Sequence, residues 1–150
     1  MSALYVIGRI LFAALFLVSG INKFLDLQSA AQAIGTHFAV PAQLAQYTSQ
    51  IETFTGMPIA QVIAILGGAI EILGALAIAT NLGARVFAML LALLLVLTVV
   101  YFNDFWNAAA TERTASLFEA LKNLALIGAL LMIAGRPREL VASGSSYTEI

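Results

Sequence analysis

A single carboxylate lies in the middle of an apolar stretch, and it is the residue most able to do chemistry. Residues 66–76 read LGGAIEILGAL, with Glu71 at their centre. An ionisable side chain within a membrane span is costly unless it faces a partner or a polar cavity. The glycines beside it would let another helix approach closely. We therefore expect other polar residues of the chain to be arranged around Glu71.

Arg9 is the predicted partner of Glu71. Glu71 would lie about 20 Å from the outer start of its span, and Arg9 about 9 Å from the inner start of the first span, at about 1.5 Å per residue. In a hydrocarbon core of about 30 Å the two depths nearly coincide, which allows an ion pair. The alternative is that Arg9 reaches out to the headgroups and leaves Glu71 protonated, with a hydrogen bond to the backbone.

A second polar group lies on the last apolar segment. Glu119, Lys122 and Asn123 are spaced i, i+3, i+4 on one helical face. If they point inward, the bundle interior holds more cations than carboxylates, which suits an anion or a carbonyl-rich molecule. A local Glu119–Lys122 pair with Lys122 reaching the surface is the other interpretation. The predicted ligand-binding residues are Lys122, Asn123, Arg9 and Lys23, and the predicted structural or proton-relay residues are Glu71 and Glu119.

Aromatic and polar side chains also follow the third apolar segment. Asn103, Trp106 and Asn107 come directly after it. Aromatic residues beside polar groups at the end of a span are typical of a membrane interface. We expect these three residues to form an outer rim.

The composition indicates an integral membrane protein. The chain of 150 residues is 61% hydrophobic and 10% charged, whereas a soluble domain is about one quarter charged. A net charge of −1 offers no basic face to nucleic acid. Cysteine is absent and histidine occurs once, at His37, so thiolate metal sites and a bis-histidine haem are excluded for the chain alone. No metal site and no cofactor motif is predicted.

Hydropathy predicts an all-α fold: one membrane four-helix bundle over residues 1–150. The predicted spans are 3–21, 59–80, 84–102 and 115–134, each about long enough for a bilayer. Residues 22–58 form a cap outside the membrane core. Their helical repeats of apolar residues predict one or two amphipathic helices at the interface.

The distribution of basic residues predicts that both termini are cytoplasmic. Four spans place the termini on one side, together with Arg85, Arg136 and Arg138. The opposite loops offer Lys23 and Arg113. Positive residues are enriched in cytoplasmic loops, which gives the orientation.

Several short motifs resemble the DoxX family of small four-helix membrane proteins. They are Gly8-Arg9-Ile10, Ser19-Gly20-x-x-Lys23, Glu71-x-x-Gly74, Gly83-x-Arg85 and Leu121-Lys122-Asn123-Leu124. The last motif resembles the YqjF-like subgroup of bacterial inner-membrane proteins. The resemblance implies an inner-membrane oxidoreductase subunit that acts with a protein partner supplying electrons.

Three functions remain open on these grounds. The first is a redox-linked subunit that binds a quinone between its helices, with Lys122, Asn123 and Arg9 on the carbonyl oxygens. The second is a non-catalytic scaffold within a larger complex or homo-oligomer in the lipid bilayer. The third is a small transport module for an anion or aromatic acid.

Overall fold

The molecule is built from helices alone over the residues that the structure, a computed structural model, describes: 3–103 and 105–135. Four of these helices are long and apolar enough to cross a membrane, which makes the chain a multi-pass membrane protein and confirms the predicted all-α bundle. The elements are α1 (Ala3–Leu25), α2 (Leu27–His37), a 3₁₀ turn (Ala42–Leu44), α3 (Ala45–Thr55), α4 (Ile59–Thr80), α5 (Ala84–Phe102) and α6 (Arg113–Ala134). The spanning helices are α1, α4, α5 and α6.

The spanning helices pack as neighbours in a row. Helix α4 lies against α1 on one side and α5 on the other, and α6 packs on α5. Helices α4 and α5 are joined by a turn of three residues, 81–83, and we call this end of the bundle the turn end. Asn81 and Gly83 there have φ of 66° and 67°, the left-handed conformation in which asparagine and glycine commonly end helices.

Helices α1 and α4 touch at two glycines. A Cβ at Gly20 would lie 2.8 Å from the carbonyl oxygen of Gly68 and 2.7 Å from Cγ1 of Ile72. No residue larger than glycine fits there without a shift. Small residues of this kind let two membrane helices come into backbone contact.

The apolar core lies between the four spans. Phe16, Ile78, Leu91 and Leu130 come from the four different spans and are completely or almost completely buried. Leu91 packs into the space left by Gly74, where a Cβ would lie 2.7 Å from its Cδ1. Of the predicted packing glycines Gly67, Gly68 and Gly74, the last two lie in close contacts, whereas a Cβ at Gly67 would meet only Cδ1 of Leu94 at 3.9 Å.

Residues 27–55 form the opposite end, which we call the cap end. The predicted one or two helices between the first two spans are two, α2 and α3. Asp26 begins α2 by accepting a hydrogen bond from the N–H of Ser29. Hydrogen bonding from the Ser29 side chain first, and from its backbone N–H second, holds the pKa of the Asp26 carboxyl below its ordinary value. Helix α2 packs on α4. Two aromatic rings at the end of α2 also contact aromatic rings at the end of α5. These are His37 with Phe102, at 5.1 Å, and Phe38 with Tyr101, at 5.2 Å between ring centroids.

Helix α3 has no buried residue in the structure. Its apolar side chains Tyr47, Ile51 and Phe54 are exposed, as is Leu44 directly before the helix, and Phe54 is 93% exposed. They repeat at helical spacing on one side of the helix, as expected for a helix that rests on a membrane surface.

Candidate functional site

The best-defined polar site is an ion pair between α1 and α4. The Nζ of Lys23 donates to both carboxylate oxygens of Glu71, at 2.8 Å to Oε1 and 2.7 Å to Oε2. It also donates to the hydroxyl oxygen of Ser19 at 3.0 Å. An ammonium group has three donors, so Lys23 is saturated by these contacts. Glu71 is 6% exposed and Lys23 is 29% exposed.

The close contact of α1 and α4 at Gly20 and Gly68 brings Lys23 and Glu71 together. Gly20 lies three residues before Lys23, and Gly68 lies three residues before Glu71. Residues three apart are neighbours on one helical face. A Cβ at Gly20 would lie 3.2 Å from Cβ of Glu71, and a Cβ at Gly68 would lie 3.4 Å from Cβ of Lys23. Each charged side chain therefore rises beside the glycine of the opposite helix and meets its counterpart.

The predicted pair between Glu71 and Arg9 is wrong. The depth estimate assumed that all spans begin at one level, but α1 and α4 are displaced along the bundle. Arg9 lies beside Ala79, eight residues from Glu71, which is about 12 Å along a helix. Helix α1 reaches Gly68 of α4 with its last residues, including Phe24, and α2 also packs on α4. Lys23, near the end of α1, is consequently level with the middle of α4.

Arg9 lies at the turn end, where it contacts the last turn of α4. Its Nη2 donates to the carbonyl oxygen of Ala79 at 2.9 Å. This carbonyl is one of the last four of the helix, which have no partner within it. A cation here also counters the negative end of the helix dipole. The Cζ of Arg9 lies 5.6 Å from the ring centroid of Tyr5, and its buried Nε and Nη1 have no hydrogen-bond partner in the described structure.

Lys122 and Glu119 form an ion pair on the outside of α6. The two side chains are 64% and 55% exposed, and the Lys122 ammonium donates to Oε1 of Glu119. The prediction that they point into the bundle interior is wrong, and the local helix pair is the correct interpretation. Their helix packs on α5 alone over most of its length, which leaves this side of α6 free of protein contacts within the described chain.

Asn123 turns toward α5. Its Nδ2 donates to Oδ1 of Asn103 at 3.0 Å. Asn103 is the residue after the end of α5, so this bond joins α6 to the cap end of its neighbour. Trp106 and Asn107 are exposed in the following loop, where Trp106 packs edge-on against Phe105 at 5.1 Å. The predicted rim residues are thus near the cap end, and one of them binds a predicted ligand-binding residue.

The sequence of the four-span chain matches one known protein family. A family model described as HR-like lesion-inducing matches residues 1–135, which is 135 of the 150 residues. The chain belongs to the HR-like lesion-inducing family. The resemblance to the DoxX family is therefore corrected, because the family model that covers the chain is a different one. No curated protein and no solved structure matches the chain.

In this member of the HR-like lesion-inducing family, the predicted site residues occupy three separate places. Lys23 and Glu71 meet between α1 and α4, Arg9 lies at the turn end, and the remaining residues belong to α5, α6 and their loop. Within the described residues, no group of three or more histidine, aspartate or glutamate side chains could hold a metal ion. The functional roles assigned to these residues remain predictions.

Sequence reasoning missed two polar contacts. Ser19 completes the coordination of Lys23, and its spacing of four residues from that lysine was the available signal. Glu52 accepts a hydrogen bond at 2.8 Å from the N–H of Ile59, the first residue of α4. A carboxylate at a helix N-terminus is favoured by the helix dipole, but no motif in the sequence marks a cap supplied from seven residues upstream.

Proposed function

We propose that this chain is a non-catalytic membrane protein that acts as a subunit of a larger assembly. In this proposal the Lys23–Glu71 pair has a structural role and holds α1 against α4. The family description names an outcome, lesion induction, and an assembly subunit can cause that outcome without catalysing a reaction. The observation that carries the proposal is the saturation of Lys23 by Glu71 and Ser19.

The closeness of α1 and α4 supports a structural role for the pair. A reacting group needs free donor or acceptor capacity and space for a substrate. At the level of Gly20 the two backbones leave no room for a molecule between them. Glu71, at 6% exposure, is covered by protein.

The redox hypothesis required Lys122, Asn123 and Arg9 to converge on one ligand, and the transport hypothesis required the same cations to line one path. Their contacts lie in three places, and the quinone expectation depended on a resemblance that the family comparison replaced. Both hypotheses stay predictions without a supporting contact. The assembly proposal needs only the surfaces of the spanning helices and of the cap end.

The test replaces the ion pair with apolar groups of similar volume. The double variant Lys23→Met, Glu71→Met removes every charge from the α1–α4 contact, and such replacements of buried pairs are commonly tolerated. We expect it to fold, to migrate on native gels in the same assembly as the wild type, and to induce lesions equally in tissue that expresses it. The matched control is Lys122→Met, Glu119→Met, which neutralises the exposed pair on α6.

Two results would contradict the proposal. A double variant that folds with normal stability but no longer induces lesions would make the pair a functional group. A wild-type chain that migrates only as a monomer, or that causes no lesions, would remove the assembly role or the family outcome from this protein.

A further inference from the structure

A groove opens between α5 and α6 at the turn end of the bundle. The groove is shallow and largely open to its surroundings, with a volume of about 420 Å³. It is lined by Arg85, Val86, Met89, Leu131, Ala134 and Gly135.

The walls of the groove are apolar and face away from the core. Val86, Met89 and Leu131 are all half exposed or more, although they lie on spanning helices. The side of a spanning helix that no protein covers meets the acyl chains of the bilayer. A flexible hydrocarbon chain is therefore the natural filling of this groove.

The mouth of the groove carries positive charge. Arg85 is the second residue of α5, beside the turn of residues 81–83, where the span ends. Within the part of the chain that the structure describes, the N-cap residue Gly83 makes no side-chain hydrogen bond to the first-turn N–H groups, so the positive end of the helix dipole lies beside Arg85. Guanidinium groups bind phosphate oxygens with charge-assisted hydrogen bonds. An apolar groove with a cation at its membrane-surface end complements an anionic phospholipid, which has apolar acyl chains and a negatively charged headgroup.

We propose that this groove binds one anionic phospholipid, with an acyl chain along Val86, Met89 and Leu131 and the headgroup phosphates against Arg85. Basic pockets between spanning helices recognise anionic headgroups in this way. The inference goes beyond the assembly function and does not depend on it, because the groove lies on α5 and α6, away from the Lys23–Glu71 pair.

The test measures retained lipid by native mass spectrometry of the intact chain. Protein reconstituted with dioleoylphosphatidylglycerol or with dioleoylphosphatidylcholine is transferred to detergent, and bound lipid is counted. We expect one retained phosphatidylglycerol per chain and about tenfold less phosphatidylcholine, since charge-assisted hydrogen bonds contribute about 1.5–3 kcal/mol. Arg85→Gln should lower phosphatidylglycerol retention about tenfold, whereas the control Arg113→Gln, at the cap end, should retain it.

A second pair of variants tests the apolar walls. Leu131→Trp places an indole in the groove and should reduce retention of both lipids. Leu93→Trp, at an exposed position on α5 outside the groove, should leave retention unchanged. Circular dichroism and thermal unfolding of all four variants show that each one folds.

Three outcomes would overturn the proposal. Equal retention of the two lipids by the wild type would leave ordinary lipid contact at the surface. Equal loss, or no loss, in Arg85→Gln and Arg113→Gln would remove Arg85 from the site. Displacement of phosphatidylglycerol by millimolar inorganic phosphate, with Leu131→Trp unaffected, would indicate an ion site and no lipid.

Discussion

The two ion pairs of the described structure differ in burial, and burial determines how much each pair contributes to the free energy of unfolding. The Lys23–Glu71 pair is covered by two helices, while the Glu119–Lys122 pair is more than half exposed on each side. Removing one member of a buried pair leaves the other charge without compensation, whereas an exposed pair contributes little. The chain therefore offers its own control for the contribution of an intramembrane ion pair.

At this scale we predict the results of a double-mutant cycle on Lys23 and Glu71. Lys23→Met should lower the free energy of unfolding by about 3 kcal/mol, because it leaves the buried Glu71 carboxylate unpaired. Glu71→Met should cost less, because the side chain of Lys23 is 29% exposed. The double variant should regain most of that loss. The measurement is reversible unfolding in lipid–detergent mixtures.

The same cycle on Glu119 and Lys122 should show changes within about 0.5 kcal/mol. Additive losses for Lys23 and Glu71 would mean that the two side chains do not interact.

Asp26 gives a residue-scale prediction for pH. The hydrogen bonds from Ser29 depress its pKa in the folded state. A depressed carboxyl pKa stabilises the start of α2 above the unfolded pKa, and this contribution disappears as the pH falls through the folded value. Carboxyl-detected NMR titration should find the Asp26 pKa below 3.8. In Ser29→Ala it should move back toward that ordinary value; an unchanged pKa would assign the shift to another cause.

At the scale of the elements, the contact between α1 and α4 decides which polar residues meet. Gly20 and Gly68 each lie one turn before a charged residue, and backbone contact at the glycines brings Lys23 and Glu71 together. A different level of contact would expose both charges to lipid. The position of the two helices relative to one another and the ion pair thus depend on the same two glycines.

We predict that Gly20→Ala destabilises the bundle by about 1–3 kcal/mol, since the added methyl meets the backbone oxygen of Gly68 at 2.8 Å. Gly8→Ala is the matched control on the same helix. A Cβ at Gly8 meets no atom within 4 Å, so this variant should be neutral or gain up to about 1 kcal/mol from helix propensity. Thermal unfolding in the same lipid compares the two. Equal effects would refute the close contact.

For the whole molecule, the sequence predicted the spans because hydropathy is a property of each segment by itself. The four spans follow from apolar runs such as 84–102, whose length alone matches a bilayer. The helical repeats of the cap predicted only one or two helices there. The partner of Glu71 depends on how far α1 and α4 are displaced, and hydropathy carries no information on that displacement. The reciprocal spacing Gly20-x-x-Lys23 and Gly68-x-x-Glu71 was the available signal. Lys122 illustrates the opposite case, since its partner Glu119 is three residues away on the same helix.

The arrangement of the four spans predicts where the ends of the bundle lie. Helix α1 begins and helix α6 ends at the turn end, so both should be on one side of the membrane. From the basic residues we expect that side to be cytoplasmic. Single cysteines at Ser2 and Ser143 in this cysteine-free chain, probed with a membrane-impermeant maleimide, should be protected in intact cells. The matched control, a cysteine at Gln50 in the cap, should be labelled, and the reverse pattern would invert the orientation.

The distance along the chain between Lys23 and Glu71 has a consequence for biosynthesis. The two residues are 48 positions apart, so at about 5–20 residues per second Lys23 is made about 2–10 s before its partner. During that interval Lys23, which lies in the last turn of α1, can extend its ammonium group to the membrane surface. Glu71 has no such route from the middle of α4. Because Lys23 is synthesised first, a cation is already present in the membrane when Glu71, which cannot reach the membrane surface, is inserted.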